Sequence, residues 1–266
     1  MPLPAKHERP DDVAAFLSWG RNTEICEIDS VARNHYSTVV LTVKSQIQQS
    51  KLWTELLESI ERTSQEYYLA TSYKLFPSDE AKKPELVTKS VDSVVEKCFR
   101  KDILLNQLWP EPPQDGWVNP HNWFTSISDN VRTQFVVKYL DGVETLVECL
   151  RDFFQSRGIE LSVKYHARDY GYYSVHLVFF IEQEVPGKAF TTETLQFPIE
   201  VQIRTELQDV ISRLTHSYYE TRRMKPETEL NDWQWRYDSD EFVPNYLGHI
   251  LHYVEGMIME VRKRGG

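Results

Sequence analysis

The chain has 266 residues and a formal net charge of −10; 41% of its residues are hydrophobic and 26% charged, the balance of an ordinary folded protein of one large domain or a catalytic domain with a helical extension. That acidity excludes a surface that binds nucleic acid indiscriminately. No apolar run approaches the ~20 residues of a membrane span, and residues 1–12 lack the apolar core of a signal peptide. Cys26, Cys98 and Cys149, widely spaced, predict reduced thiols, so a cytoplasmic protein without a membrane partner is expected.

Residues 1 to about 10 carry three prolines and are expected to be unstructured. Asp11 or Asp12 then caps a helix holding Val13, Phe16, Leu17 and Trp19. A second periodic segment over 28–48 offers Val31, Tyr36, Val39, Val40 and Val43 as packing positions, and a third helix is expected over 52–68. Trp53, Tyr67, Tyr68 and Tyr73 are assigned to the core. A turn-rich bridge over 77–84 closes this helical extension, residues 1–84.

The next helix, predicted over 88–105, places Lys89, Ser93, Lys97 and Arg100 along one face and Val91, Val94, Val95 and Cys98 on the other. Taken alone, such a row is a solvated basic stripe. Residues 107–124 hold four prolines and three tryptophans and read as an ordered, Trp-anchored loop, with His121 and Asn122 capping the turn that follows.

Strands are expected near 134–139, 160–165, 175–182 and 197–204. Between the first two, a turn at 139–142 leads into a helix to about 155, with Val143, Leu146, Val147, Leu150 and Phe154 inward. Tyr170, Tyr172 and Tyr173 surround Gly171 in a turn, and His176 lies on the strand after it. In the last strand Phe197, Ile199, Val201 and Ile203 fall on one side and Glu200, Gln202 and Arg204 on the other. A helix is predicted over 206–223, a loop over 225–240, and a last helix over 243–264 that buries Tyr246, Ile250, Tyr253 and Met257. Basic clusters stand at Arg222, Arg223 and Lys225 and at Arg262, Lys263 and Arg264, where helix ends facing water are the plain account.

Two stretches, Gly171-Tyr172-Tyr173-Ser174-Val175-His176 and Glu200-Val201-Gln202-Ile203-Arg204-Thr205, occur in the order of the G-Y-x-S-[LI]-H loop and E-[IV]-Q-I-R-T strand of the RelA/SpoT alarmone synthetase domain. The chain resembles that family over residues 85–225, with 226–266 as a C-terminal loop and helix. The family's opening R-x-K-S-x-x-S-I-x-x-K-x-x-R is matched by residues 89–100, with Val94 for the isoleucine and Val87 where the first arginine would stand. Its D-x-x-G-[IV]-R motif is matched at Asp129, while Gln134 occupies the arginine position and Arg132 lies two residues earlier on the same strand face.

The resemblance implies an α/β fold: a mixed β-sheet flanked by helices, nucleotidyltransferase-like, with helical N-terminal and C-terminal extensions. It implies pyrophosphate transfer from ATP to the ribose 3′-hydroxyl of GDP or GTP. Lys89, Ser93, Lys97, Arg100 and Arg132 would bind the ATP phosphates. Asp129 and Glu200 would hold Mg2+ and, with Glu200 as base, carry the catalysis. Arg168, Tyr172, Ser174, His176, Gln202 and Arg204 would bind the acceptor, Tyr172 stacking on its base. No His-Asp dipeptide occurs, so a synthetase-only protein without the hydrolase half is expected. The shortened loop Ala167-Arg168-Asp169 keeps other acceptors open, adenine nucleotides or the 3′ end of tRNA, as in toxic relatives. The absent arginines keep open a domain that binds nucleotide without turnover. A second copy or an antitoxin stands as the protein partner to expect.

Overall fold

The computed structural model describes residues 9–187, 191–215 and 233–265. Three helices lead the chain, each begun by a side chain that accepts from an otherwise unpaired backbone N–H: Asp12 for α1 (Val13–Thr23), Asp29 for α2 (Ser30–Gln49) and Ser50 for α3 (Lys51–Thr71). On α2 the inward face is Ala32, Tyr36, Val39, Val40, Val43 and Ile47; Val31 is exposed, one position out of phase. Trp53 and Tyr67 are buried, but Tyr68 and Tyr73 are exposed, a correction to their assignment to the core.

The sheet has five strands, β1 (Val87–Thr88), β2 (Val131–Val137), β3 (Leu161–Ala167), β4 (Tyr173–Pro186) and β5 (Thr192–Thr205), in the order β1-β2-β5-β4-β3. Only β2 and β5 are parallel. Alternation decides which face is which: Val131, Phe135, Val137, Val175, Leu177, Phe179, Ile199, Val201 and Ile203 are all buried in one core with the inward residues of α2 and α3. The intervening residues make the other face polar. Register sets them in rows across the sheet, one running Val178, Glu200, Arg132, Val87 and the next Lys164, His176, Gln202, Gln134. A sheet with helices α4 (Val91–Phe99), α5 (Trp123–Ser126), α6 (Leu140–Gln155) and α7 (Glu206–Leu214) around it is the expected α/β architecture.

The loop before α5 is anchored by tryptophan as expected: Trp109 and Trp117 each lie 5.3 Å from Trp19 between ring centroids. Asn122 does not cap α5 with its side chain; it accepts from Asn119 N at 2.9 Å and ties the loop to itself. The helix predicted to reach residue 223 is described to Leu214, and Arg222, Arg223 and Lys225 lie outside the described residues.

The last helix, α8 (Phe242–Gly265), reverses an expectation. Tyr246, Ile250, Tyr253 and Met257 are exposed, and the buried positions are Asn245, Gly248 and Glu255. The apolar periodicity is real, but α8 packs on α7, on α6, on the polar Gly-Tyr turn and on Thr205, and it meets the turn and Thr205 through its small and polar side. Arg262 fixes the far end of the helix, its guanidinium 4.0 Å and 4.3 Å from the ring centres of Tyr73 and Tyr139 and bonded to Asp141 (3.0 Å) and the Tyr67 hydroxyl (3.2 Å). That seat gives Tyr73 its role.

Candidate active site

The polar face of the sheet gathers two carboxylates, one from the turn before β2 and one from β5. Asp129 lies just before β2, next to the buried Asn130, whose amide donates to the carbonyls of Trp123 and Ile127 at 2.8 Å and 2.9 Å and so sets the entry to the strand. Lys89 follows β1 and precedes the Ser90 cap of α4, so it is not on the helix as the spacing predicted. It nonetheless meets Lys97, one turn into the row, at a common target. Lys89 Nζ reaches Asp129 Oδ2 at 2.9 Å and Lys97 Nζ reaches Oδ1 at 2.7 Å, with Arg132 farther off at 3.9 Å.

Burial pushes the Asp129 carboxyl up, but the ammonium groups of Lys97 and Lys89 outweigh it and hold the acid well below the usual carboxylate range. Burial also lowers Lys89, which the Asp129 charge partly offsets. Ser93 sits in the first turn of α4, its hydroxyl accepting from Ser90 Oγ at 2.9 Å. Arg100 stands at the C-terminal end of α4, where the ladder widens into a π turn, Arg100–Leu104.

Glu200 is the centre of the second cluster. It is 5% exposed, and both side chains that bond it, His176 and Gln202, come from the predicted acceptor set. His176 Nδ1 lies 2.5 Å from Oε1, and Gln202 Nε2 donates to Oε2 at 3.2 Å. The Gln202 carbonyl accepts from Arg204 Nη2 at 2.9 Å, and His176 Nε2 lies 3.0 Å from the Tyr172 hydroxyl. With Nδ1 facing a carboxylate, the ring donates there and Nε2 accepts from tyrosine. Burial pushes Glu200 up and the Asp129 charge adds to that, yet the bond from His176 prevails and the carboxyl is lowered.

Arg204 is 9% exposed, and its Nε is buried without a hydrogen-bond partner among the described residues. An unpaired buried N–H is costly, and this one lies beside Tyr172, whose ring centre is 6.0 Å from the guanidinium carbon.

Not every predicted residue joins these clusters. The Ser174 hydroxyl donates to the Ile203 carbonyl at 3.1 Å, locking β4 to β5. Arg168 is on the exposed turn, its guanidinium 3.4 Å from His166 Nδ1. Gln134, at the expected arginine position, donates to Asp209 of α7 at 2.6 Å. Val87, at the other, is exposed and pairs directly across from Arg132, which puts both side chains on one face.

His166 was not foreseen. Its ring centre is 4.3 Å from that of His176, and burial, then the charges of His176, Arg168 and Lys164, bring its pKa down to about 4, so it is neutral at pH 7. The signal was one of parity: His166 and Lys164 alternate with apolar residues on the strand beside the motif.

As donors to a metal, Asp129 and Glu200 offer only oxygen, which suits magnesium, and each carboxylate keeps lone pairs beyond those its present partners use. Among the described residues no group of three or more His, Cys, Asp or Glu forms a closed metal site, so substrate phosphates or water would complete the shell.

No family model matches the chain, and no curated protein does. Solved structures do. Small alarmone synthetase 2 from Bacillus subtilis is 18% identical, with a TM-score of 0.47, over 81% of this chain and 99% of that one. Small alarmone synthetase 1 from Bacillus subtilis bound to its product pppGpp is 16% identical, TM-score 0.47, over 81% and 98%. A GTP pyrophosphokinase family protein from Streptococcus pneumoniae is 15% identical, TM-score 0.47, over 87% and 92%. Identities this low leave the chemistry to be read from the site's own residues.

Proposed function

We propose that the chain is a RelA/SpoT-type, synthetase-only pyrophosphokinase that transfers the β,γ-diphosphate of ATP to the ribose 3′-hydroxyl of GDP or GTP, making an alarmone. The observation that carries this reading is the convergence on Glu200: one buried carboxylate joined to His176 and Tyr172 on one side and to Gln202 and Arg204 on the other. The lysine-clamped Asp129 stands nearby, close enough for its charge to act on Glu200. Such a site presents a proton acceptor, a ring and a guanidinium to an acceptor nucleoside, and a row of cations to a polyphosphate.

In the reaction the 3′-oxygen bonds to the β-phosphorus as the bond from that phosphorus to the oxygen bridging to the α-phosphate breaks, and AMP leaves with that oxygen. Glu200 takes the hydroxyl proton. Lys89, Lys97 and Arg100 face the negative charge that shifts onto the leaving phosphate. Asp129 and Glu200 would hold Mg2+, which when bound supplies charge neutralisation at the phosphates. Tyr172 offers a stacking face for the acceptor base, with the Arg204 guanidinium 6.0 Å from its ring centre.

In the family that the chain resembles, the two arginines whose positions are Val87 and Gln134 here stack on the adenine; beside its place at the phosphates, Arg132 takes over part of that contact. It lies directly opposite Val87, whereas Gln134 is engaged by Asp209.

The test is to incubate the protein with ATP labelled at the β- or γ-phosphate and GDP, GTP, ADP or tRNA, and to follow the label. Label on GDP or GTP supports the reading. Label on ADP or on the 3′ end of tRNA makes the chain a toxin-like pyrophosphokinase, and steep salt inhibition would accompany the tRNA outcome. No transfer to any acceptor, with nucleotide binding retained, makes it a binding domain without turnover.

A further inference from the structure

The turn that carries Tyr172 is short and carries two backbone bonds of its own, Arg168 N to Tyr172 O at 3.0 Å and Gly171 N to Arg168 O at 2.9 Å. Further support comes from α8. Gly171 has φ of +77°, and a Cβ there would lie 3.0 Å from both Gly248 Cα and His249 N. Likewise a Cβ on Gly248 would overlap the Gly171 carbonyl. The two backbones are therefore in direct contact, and only glycine fits on either side.

His249 adds polar bonds on both flanks of the tyrosine. Its Nε2 lies 2.7 Å from the Asp169 carbonyl and its Nδ1 2.8 Å from the Tyr173 hydroxyl. The carbonyl requires Nε2 to carry the proton, which leaves Nδ1 to accept from tyrosine. His252, one turn on, stacks on Tyr173 at 3.8 Å with an interplanar angle of 12°. Glu255 then bonds Thr205, the residue after Arg204 and the cap of α7.

We propose that Gly248 and His249 are positioning residues for the acceptor: α8 holds the turn so that Tyr172 meets His176 and presents its ring to the acceptor base. The identity of the ligand rests on the function proposed above; the coupling of helix to turn does not. Arg262, seated between Tyr73 and Tyr139, ties the same helix to α3 and α6, so the turn is braced by the body of the protein through one helix.

Full-length His249→Phe, Tyr173→Phe and the double variant, with Gly248→Ala alongside, test this by steady-state kinetics with ATP and acceptor varied separately. Losing a hydrogen bond at one flank should raise the acceptor half-saturation about fivefold, leaving that of ATP unchanged. His249→Phe loses both bonds and should be the poorer single, and the double variant should be no worse than it, because Tyr173→Phe removes only a bond that His249→Phe has already lost. His249→Gln, which keeps a donor and an acceptor, should recover part of the loss. Equal effects on ATP and acceptor, or none, in folded variants would overturn the proposal.

A second readout needs no activity. Amide hydrogen exchange over residues 168–173 should quicken in His249→Phe while the strands keep their protection. Unchanged exchange there sinks the positioning role whatever the substrate proves to be. If exchange quickens but wild-type protein transfers nothing, the functional reading fails and the coupling stands.

Discussion

On the proposed donor side Asp129 is fixed by two ammonium groups, one from the link between β1 and α4 and one from α4; on the proposed acceptor side Glu200 is fixed by neighbours on its own and the adjoining strand. The first arrangement is electrostatic and brings together segments 32 and 40 residues from Asp129. The second is a matter of register: Glu200, Gln202 and Arg204 share a face by alternation, and His176 faces Gln202 across β4 and β5. Two ammonium charges that also hydrogen-bond to it stabilise Asp129 against burial, whereas Glu200 is held by directional bonds within the sheet, which a neutral amide of the same shape keeps when His176 switches tautomer and its Nδ1 accepts.

This difference predicts unlike outcomes for like substitutions. Glu200→Gln should lower turnover by about 100-fold or more by removing the proton acceptor, and leave the melting temperature nearly unchanged. Asp129→Asn should be as inactive and also less stable by about 3 kcal/mol, since it leaves Lys89 and Lys97 without their counter-charge. Denaturant melts beside the kinetics decide the matter; equal stabilities would erase the distinction.

Tyr172→Ala comes next, with an acceptor half-saturation raised about 10-fold through the lost stacking face, and ATP little affected. Arg132→Ala should weaken ATP by about fivefold, the worth of one cation–π or stacking contact. An unchanged ATP affinity would leave the adenine without a holder on β2.

The smallest effect lies away from both clusters. Asp102 is fully buried, its two oxygens accepting from Val118 N at 3.1 Å and 3.2 Å, and burial pushes its pKa up to about 7. The acid binds its proton more tightly folded than unfolded, where the pKa is about 4, so stability falls as pH rises between those values and is level above them. Asp102→Asn should therefore raise the melting temperature by about 5 °C near pH 8, the gain shrinking toward pH 5. A pH-independent shift would refute the assignment.

The acceptor side was the more legible in sequence, for alternation alone places Glu200, Gln202 and Arg204 together, and the Gly-Tyr turn flags its own backbone. Lys89 and Lys97 meet at Asp129, but not along one helix face as their spacing predicts, since Lys89 precedes the helix and converges through β1, a strand of two residues too short to leave a pattern. Alternation puts His166 and Lys164 on one side of β3, but only the pairing of β3 with β4 sets that side against His176. The face of α8 was misassigned because periodicity reports where apolar residues are, not which side finds a partner. Asn245, Gly248 and Glu255 are buried because they meet the turn and Thr205, contacts of long sequence separation.

The bracing of the tyrosine turn by α8 also has a consequence in time. Chains grow at about 5–20 residues per second and their domains fold from the N-terminal side first. Both carboxylates, both lysines and the turn precede α8 in the sequence. A nascent chain can thus pair its strands and set Glu200 against His176 while residues 168–173 still lack their prop. The ability to hold an acceptor is then acquired later than the ability to assemble the carboxylates, at the moment Gly248 reaches Gly171 and Arg262 finds its seat.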